Sequence, residues 1–273
     1  MINVRLIGGL GNQLFQLAAA VVYSRRFHFP IRLWPGAMGR YATKRELDVH
    51  QLINLEEIDT RVVGRASLVQ LARAARINPG LFLKQLWITD CNVLEGLKRG
   101  RRVTTIELDG YFINSIDQAF IDEAALILRR SIKESGNAVV APENLCVIHV
   151  RGGDFLKLGW ASVTGASYYA RAIGTMREIA PNVHFVAITD DQAYASSLDW
   201  IKNNNVSVLS KGMLSEFQLL RTAPYAIISN STFAFWARML RHKFSGVTIG
   251  APYWSPGVPR RIAVPDECGG SVA

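Results

Sequence analysis

The chain has 273 residues, 49% of them apolar and 19% charged, a balance that supports packed cores and excludes a disordered or low-complexity protein. No run of about eighteen apolar residues occurs, and the start Met1-Ile2-Asn3-Val4-Arg5 lacks the basic and apolar regions of a secretory signal, so a cytoplasmic protein without a membrane span or Golgi-type anchor is expected. The formal charge of +9 is regional, because residues 61–102 hold nine Lys or Arg against Asp90 and Glu95 alone.

In chain order, Ile2 to Ile7 reads as a strand, Gly8-Gly9-Leu10-Gly11-Asn12-Gln13 as a glycine loop and Leu14 to about Arg26 as an apolar helix. Ile31-Arg32-Leu33-Trp34 is the next strand. Within the basic stretch, Leu68-Val69-x-Leu71-Ala72 and Leu81-Phe82-Leu83-x-x-Leu86-Trp87 have helical rhythm and predict amphipathic helices. A solvated basic face on packed helices is the favoured reading of residues 61–102. Docking to anionic lipid headgroups or a phosphorylated lipid carrier is the second, and nucleic acid a weaker third, since no recognition motif accompanies the charge. Val103 to Leu108 predicts a strand, Ile116 to Ile132 a helix, and Gly136 to Asn144, with Pro142, a linker. Domains of residues 1–140 and 141–273 follow.

The second half is regular: strands at 145–150, 184–188, 206–209, 226–228 and 247–249 alternate with helices near 167–179, 192–203, 215–221 and 232–240. Apolar strands alternating with helices predict an α/β protein with a parallel sheet covered on both faces. Ligands of such sheets bind at the carboxyl ends of strands. Arg151, Thr189-Asp190-Asp191 and Ser229-Asn230-Ser231-Thr232 all fall at those ends.

Each cluster has a chemistry. In His149-Val150-Arg151-Gly152-Gly153-Asp154, a guanidinium that stays charged stands before two glycines that let backbone approach an anion. The competing reading is an Arg151–Asp154 ion pair that closes a turn. His149, two residues before Arg151, shares its face of the strand. Four hydrogen-bonding residues from Ser229 to Thr232 at a helix N-terminus suit a diphosphate. Asp190 and Asp191 read as a cation site, or as an acceptor for a guanine edge beside a helix cap; because Arg151 and a helix end already supply positive charge, no required metal is expected. Gly9-x-Gly11 lacks the third glycine and the acid of a dinucleotide fingerprint, and no phosphate-loop motif occurs, which disfavours nicotinamide enzymes and that class of kinases. Asn12 and Gln13 stand where a helix start could contact an anion or a sugar. Cys91, Cys146 and Cys268 read as free thiols.

Taken together, Gly8 to Gln16, Glu46-Leu47-Asp48, Leu108-Asp109-Gly110-Tyr111-Phe112, His149-x-Arg151-x-Gly153-Asp154, Thr189-Asp190-Asp191, Ser229 to Phe233 with Trp236, and Ala251-Pro252-x-Trp254 resemble the α-1,2-fucosyltransferases of glycosyltransferase family 11, in the family's order and over most of the chain. The resemblance implies two Rossmann-like halves with a cleft between them (GT-B-like), GDP-β-L-fucose as donor, inversion to an α-fucoside on a galactose-type glycan or lipid-linked acceptor, and no obligatory metal or cofactor. It implies that Arg151 grips the diphosphate and that Ser229, Asn230, Ser231 and Thr232 line the same pocket. It further implies that Asp190 or Asp191 approaches the guanine, and that Gly9, Gly11, Asn12 and Gln13 reach the reaction centre from the other half. Family members often carry a second basic residue where this chain has Gly152. Asp109 and His149 are the candidate bases for the acceptor hydroxyl.

Overall fold

Strand β1 (Ile2–Arg5) buries Ile2 and Val4 on one face and Asn3 on the other, so it can sit only inside a sheet covered on both sides. The computed structural model describes residues 1–36, 45–66, 85–96, 103–133, 141–241 and 246–268. They form two units, Met1–Lys133 and Glu134–Ala273. In the first, β1 pairs in parallel with β2 (Ile31–Trp34) and β5 (Thr105–Leu108); β3 (Thr60–Val62) lies outside β2 and β4 (Gln85–Ile88) outside β5, giving the order β3-β2-β1-β5-β4. The Asn3 amide donates to Glu107 Oε1 at 2.6 Å, which satisfies a carboxylate only 1% exposed in the middle of this sheet.

Helix Leu10–Phe27 is apolar along most of its length and buries Ala18, Ala19 and Ala20. It stops at His28 in the left-handed conformation (φ 57°), whose N–H donates to the Ser24 carbonyl, with Arg25 and Arg26 at the negative end of the dipole. Helix Gln118–Arg130 is N-capped by Asp117, whose carboxylate accepts from Phe120 N at 2.9 Å. Its buried stripe of Phe120, Ile121, Ala124, Ala125 and Leu128 packs on the first helix.

The second unit is built on β6 (Leu145–Val150), buried at all six positions. β7 (His184–Thr189) and β8 (Ser207–Leu209) lie on one side of it, β9 (Tyr225–Ile228) and β10 (Thr248–Gly250) on the other. All pairings are parallel, and the order is β10-β9-β6-β7-β8. The chain runs outward from β6 through β8 and then crosses to β9, so β6 and β9 bracket a topological switch point. A hairpin of β11 (Tyr253–Ser255) and β12 (Val258–Pro259) follows.

Several sequence expectations shift. The first helix begins at Leu10, not Leu14, so Gly11, Asn12 and Gln13 form its first turn instead of a loop. The helix expected over 192–203 is two, Gln192–Ser197 and Asp199–Asn203, parted by the extended backbone of Leu198. Gln85–Ile88, the end of the helical rhythm at Leu81–Trp87, is strand β4; pairing with β5 overrides a pattern too short to specify its period. The rest of that rhythm, the one at Leu68–Ala72, and residues 136–140 of the expected linker lie outside the described residues.

Arg238 shows how tightly the second unit is tied. It is fully buried and donates to the carbonyls of Leu220 (2.9 Å), Ala223 (2.7 Å) and Pro224 (3.3 Å) and to Thr248 Oγ1 (2.9 Å). It thereby satisfies the buried carboxyl end of helix Met213–Thr222, where Pro224 prevents the helix from continuing. Arg238→Met should lower unfolding free energy by about 3–5 kcal/mol, because the carbonyls it served stay buried; urea denaturation checks this, and a loss under about 1 kcal/mol would refute the role.

Candidate functional site

The carboxyl ends of β6, β7 and β9 converge on one edge of the second sheet. Helix Ala166–Ile179 holds the ends of β6, β9 and β10 from below: the Tyr169 hydroxyl donates to the His149 carbonyl at 3.0 Å, and the Tyr168 hydroxyl to the carbonyls of Ile228 (2.7 Å) and Ile249 (3.3 Å). Both tyrosines are buried. Neither hydroxyl ionises in any useful range, because burial pushes both well up. His149 is buried, with Nδ1 2.8 Å from Ser229 Oγ and its ring 5.7 Å from that of Phe233. Burial, and then the neighbouring Arg151 charge, lower its pKa to about 3. It is a neutral imidazole that ties β6 to β9.

Arg151 is the centre of the cluster. Its Nη2 lies 2.8 Å from Asp154 Oδ1, its Nη1 2.8 Å from Asp190 Oδ2, and its guanidinium 5.2 Å from the centre of the Phe155 ring. The Arg151–Asp154 turn closure is therefore present, and Asp190 joins it. Asp190 Oδ1 accepts from Gly152 N at 2.9 Å. Asp191 caps helix Gln192–Ser197 by accepting from Tyr194 N at 3.0 Å, with Gly153 N at 3.4 Å from its other oxygen. Of the two carboxylates, Asp191 takes the helix-cap role that was one of the readings, and Asp190 holds the Arg151-Gly152 segment. Among the described residues no group of three or more His, Cys, Asp or Glu has a metal-holding arrangement.

Ser229, Asn230 and Ser231 are buried and lead into helix Thr232–Met239. Ser231 stands at the N-cap without a side-chain cap bond, so the positive end of the helix dipole lies just past the end of β9. Asn230 donates to the carbonyls of Trp160 (3.2 Å) and Trp254 (2.9 Å), and draws two loops against the site. Its Oδ1, like Arg151 Nε, is buried without a hydrogen-bond partner among the described residues.

The glycine motif lies in the first unit, at the end of β1. Gly8 has φ +80°, and a Cβ there would lie 2.4 Å from the Asn12 amide nitrogen, so only glycine fits. Gly9 is the N-cap of the long helix, which has no acidic residue in its first turn. Gln13 is fully buried and spends its whole amide on the fold: it donates to Gly8 O (3.0 Å) and Glu46 O (2.8 Å) and accepts from Asp48 N (2.9 Å) and Val49 N (3.0 Å). Contrary to expectation, it has no donor left for a ligand. Gln16 likewise links Ile7 N to Gly110 O. Asp109, at the end of β5, pairs with Arg5 at 3.2 Å.

Two carboxylates carried no sequence signal. Asp90 accepts from Tyr111 N and Phe112 N and shapes the turn after β5, where Phe112 has φ 61°. Glu216, half-buried on helix Met213–Thr222, accepts from Lys211 N at 3.0 Å. Its pKa is raised, first by burial and in smaller part by Asp190.

The buried imidazole leaves a measurable mark. Its folded pKa of about 3 lies below the ordinary 6.5, so the unfolded chain takes a proton that the folded one refuses. Its contribution is whole above about pH 6.5 and drains as pH falls toward 3, at about 1.4 kcal/mol per pH unit. His149→Asn should flatten that part of the stability–pH curve; urea unfolding at pH 4.5 and 6.5 for both proteins checks it, and equal slopes would refute it.

These features can be set beside known proteins. The model of glycosyl transferase family 11 matches residues 100–256, a span that holds Arg151, Asp190, Asp191 and Ser229 to Thr232. An α-1,2-colitosyltransferase of Escherichia coli is 23% identical over 280 residues, covering 93% of this chain and 92% of that protein. Among solved structures, the fucosyltransferase NodZ from Bradyrhizobium superposes with a TM-score of 0.54 at 17% identity, covering 88% of this chain and 92% of that one. POFUT1 in complex with GDP-fucose gives 0.53 at 8% identity, with 92% and 97% covered. The two parallel-sheet halves are of this GT-B-like kind. With one family model matching more than half of the sequence, the chain belongs to glycosyl transferase family 11.

Proposed function

We propose that the protein is an inverting transferase that moves L-fucose from GDP-β-L-fucose to the 2-hydroxyl of a galactose-type acceptor, a glycan or lipid-linked oligosaccharide in bacterial surface-glycan assembly. The observation that carries the reading is that Arg151 and the N-terminus of helix Thr232–Met239 follow neighbouring parallel strands, β6 and β9, at the switch point of the second sheet. That unit is the donor side in this reading, and the first unit the acceptor side, with no nucleic acid partner. NodZ co-crystallised with GDP has the same fold at 17% identity and a TM-score of 0.55, which agrees with a GDP-sugar donor.

The chemistry follows from charge. As the bond from C1 to the diphosphate stretches, negative charge gathers on the β-phosphate and positive charge on the sugar ring. A guanidinium and a helix N-terminus fixed in place stabilise that departing charge more in the transition state than in the ground state. The Ser231 and Thr232 side chains add hydroxyl donors at the same helix end. Positive charge from these groups supports transfer without a metal. The acceptor hydroxyl attacks from the opposite face and loses its proton at some stage. His149, buried and neutral, positions Ser229 and is a poor proton acceptor. Asp109 is the remaining candidate base, and Asp109→Asn should cost about 100-fold or more in kcat if it serves; near-normal turnover would remove it.

A second donor is favoured by one specific observation, the colitosyltransferase likeness over 93% of the chain. Product formation from GDP-fucose, GDP-colitose and other GDP-sugars on galactose-terminated acceptors, with and without EDTA, separates the readings. Fucose transfer insensitive to EDTA is the expected result. Transfer of colitose alone would move the donor assignment, and EDTA-abolished transfer would overturn metal independence. Arg151→Ala should lose about 100- to 1,000-fold in kcat/KM with an unchanged melting temperature, and Arg151→Lys should recover little of it, since a point charge does not reproduce the guanidinium fork.

A further inference from the structure

We infer that Asp190 is a counter-ion which the donor's diphosphate displaces from Arg151, and that this exchange limits how tightly the protein holds GDP. The inference rests on the donor reading above and concerns the same site.

Arg151 has both terminal nitrogens on carboxylates, Asp154 and Asp190, each at 2.8 Å. The three groups together carry one net negative charge, and Glu216 stands close enough to Asp190 for its own carboxyl to be pushed up by it. A diphosphate brought to this cluster unchanged would meet repulsion. Two-point pairing of the guanidinium with a phosphate requires it to give up a carboxylate, because Nε is buried and each terminal nitrogen already donates to one. Asp154 lies three residues after Arg151 in the same turn and moves with it. Asp190 belongs to another strand end, and its Oδ1 accepts from Gly152 N at 2.9 Å, a bond separate from the ion pair. Its Oδ2 can therefore release Arg151 while the residue stays in place. Gly153, with φ +44°, leaves room beside that oxygen, where a Cβ would come within 2.7 Å. The Asp190 side chain is 31% exposed, so water can take over the released oxygen. A partly exposed ion pair is weak, whereas a guanidinium and a phosphate pair through two charge-assisted hydrogen bonds. The exchange runs forward, but the lost pair and the nearby negative charge are subtracted from the affinity for GDP, which favours product release.

The test is calorimetric titration of GDP, inorganic pyrophosphate and guanosine into the unaltered protein and into Asp190→Asn. The variant keeps an oxygen for Gly152 N–H and removes the charge that faces Arg151. Expected are GDP and pyrophosphate binding about two- to fivefold tighter, guanosine binding unchanged, and a gap that narrows as salt is raised. Equal or weaker GDP binding in a variant with a normal melting curve would overturn the exchange and leave the donor reading standing. Absence of GDP binding to the unaltered protein would remove the donor reading and this inference with it. If Asp190→Asn melts early, Asp190→Ser, whose hydroxyl can also accept from Gly152 N, supplies the same comparison.

Discussion

A guanidinium at the mouth of a fully buried strand has to be held by charge, and the strand-end site is built around meeting that demand at Arg151. β6 is apolar on both faces and delivers Arg151 to the sheet edge with little freedom of its own. Two carboxylates from different segments, Asp154 and Asp190, then fix its direction, and Phe155 covers one face. The glycines that follow serve the same end. Gly152 N and Gly153 N point back at Asp190 and Asp191, so the turn after β6 is pinned to the turn after β7. Beneath, Tyr168 and Tyr169 bind the last carbonyls of β6, β9 and β10, and prevent the three strand ends from sliding past one another. A charged site at the end of a sheet is only as rigid as the carbonyls below it.

Much of the architecture was legible because burial on both faces leaves a plain trace. Uninterrupted apolar runs such as Cys146-Val147-Ile148 and Ala226-Ile227-Ile228 can be little else than interior strands when short helices separate them. Helix ends were harder. Leu10 to Gln13 looks like loop because it holds a glycine, an asparagine and a glutamine, yet Gly9 offers an unhindered N-cap and the helix starts there. The two short helices after β7 looked like one because nothing in Leu198 marks the break; its extended backbone reflects packing. β4 was misread for the opposite reason, since four residues can satisfy either period and only pairing with β5 decides.

The site divides along the same line. The residue types that bear charge, and the strand ends that carry them, were readable from Arg151, Asp190 and Ser229 onward. A partner three residues away was readable, as Asp154 is for Arg151, but partners distant in sequence were not, because such a partner is a distance and sequence contains none. Of the two adjacent aspartates, sequence could not say which would cap the helix, and it is Asp191. Gln13 looked like a donor beside a helix start and is saturated by four backbone groups. Asp90 and Glu216, each isolated in sequence, stand at structural positions that matter only once β4 lies beside β5, and once the fold brings Glu216 within electrostatic reach of Asp190.

Gly152 completes the electrostatic account. A Cβ at that position would lie 2.6 Å from Asp191 Cβ and 3.0 Å from Tyr194 Cδ1, so the space a second basic side chain would leave by is filled by the cap of helix Gln192–Ser197. Restoring such a residue would require that cap to move, and with it the oxygen that Gly153 N faces. The turn after β6 therefore carries one guanidinium, that of Arg151. In the proposed transfer, the remaining stabilisation of a departing diphosphate would come from groups without formal charge at the start of helix Thr232–Met239. Dipoles of this kind are effective only where water is kept away. Ser229, Asn230 and Ser231 are accordingly almost completely buried, at 2%, 2% and 4% exposure, and Asn230 draws the Trp160 and Trp254 segments over them. A single fixed charge and a dry helix end are complementary parts of one design, and the loss of either would leave the other too weak to replace it.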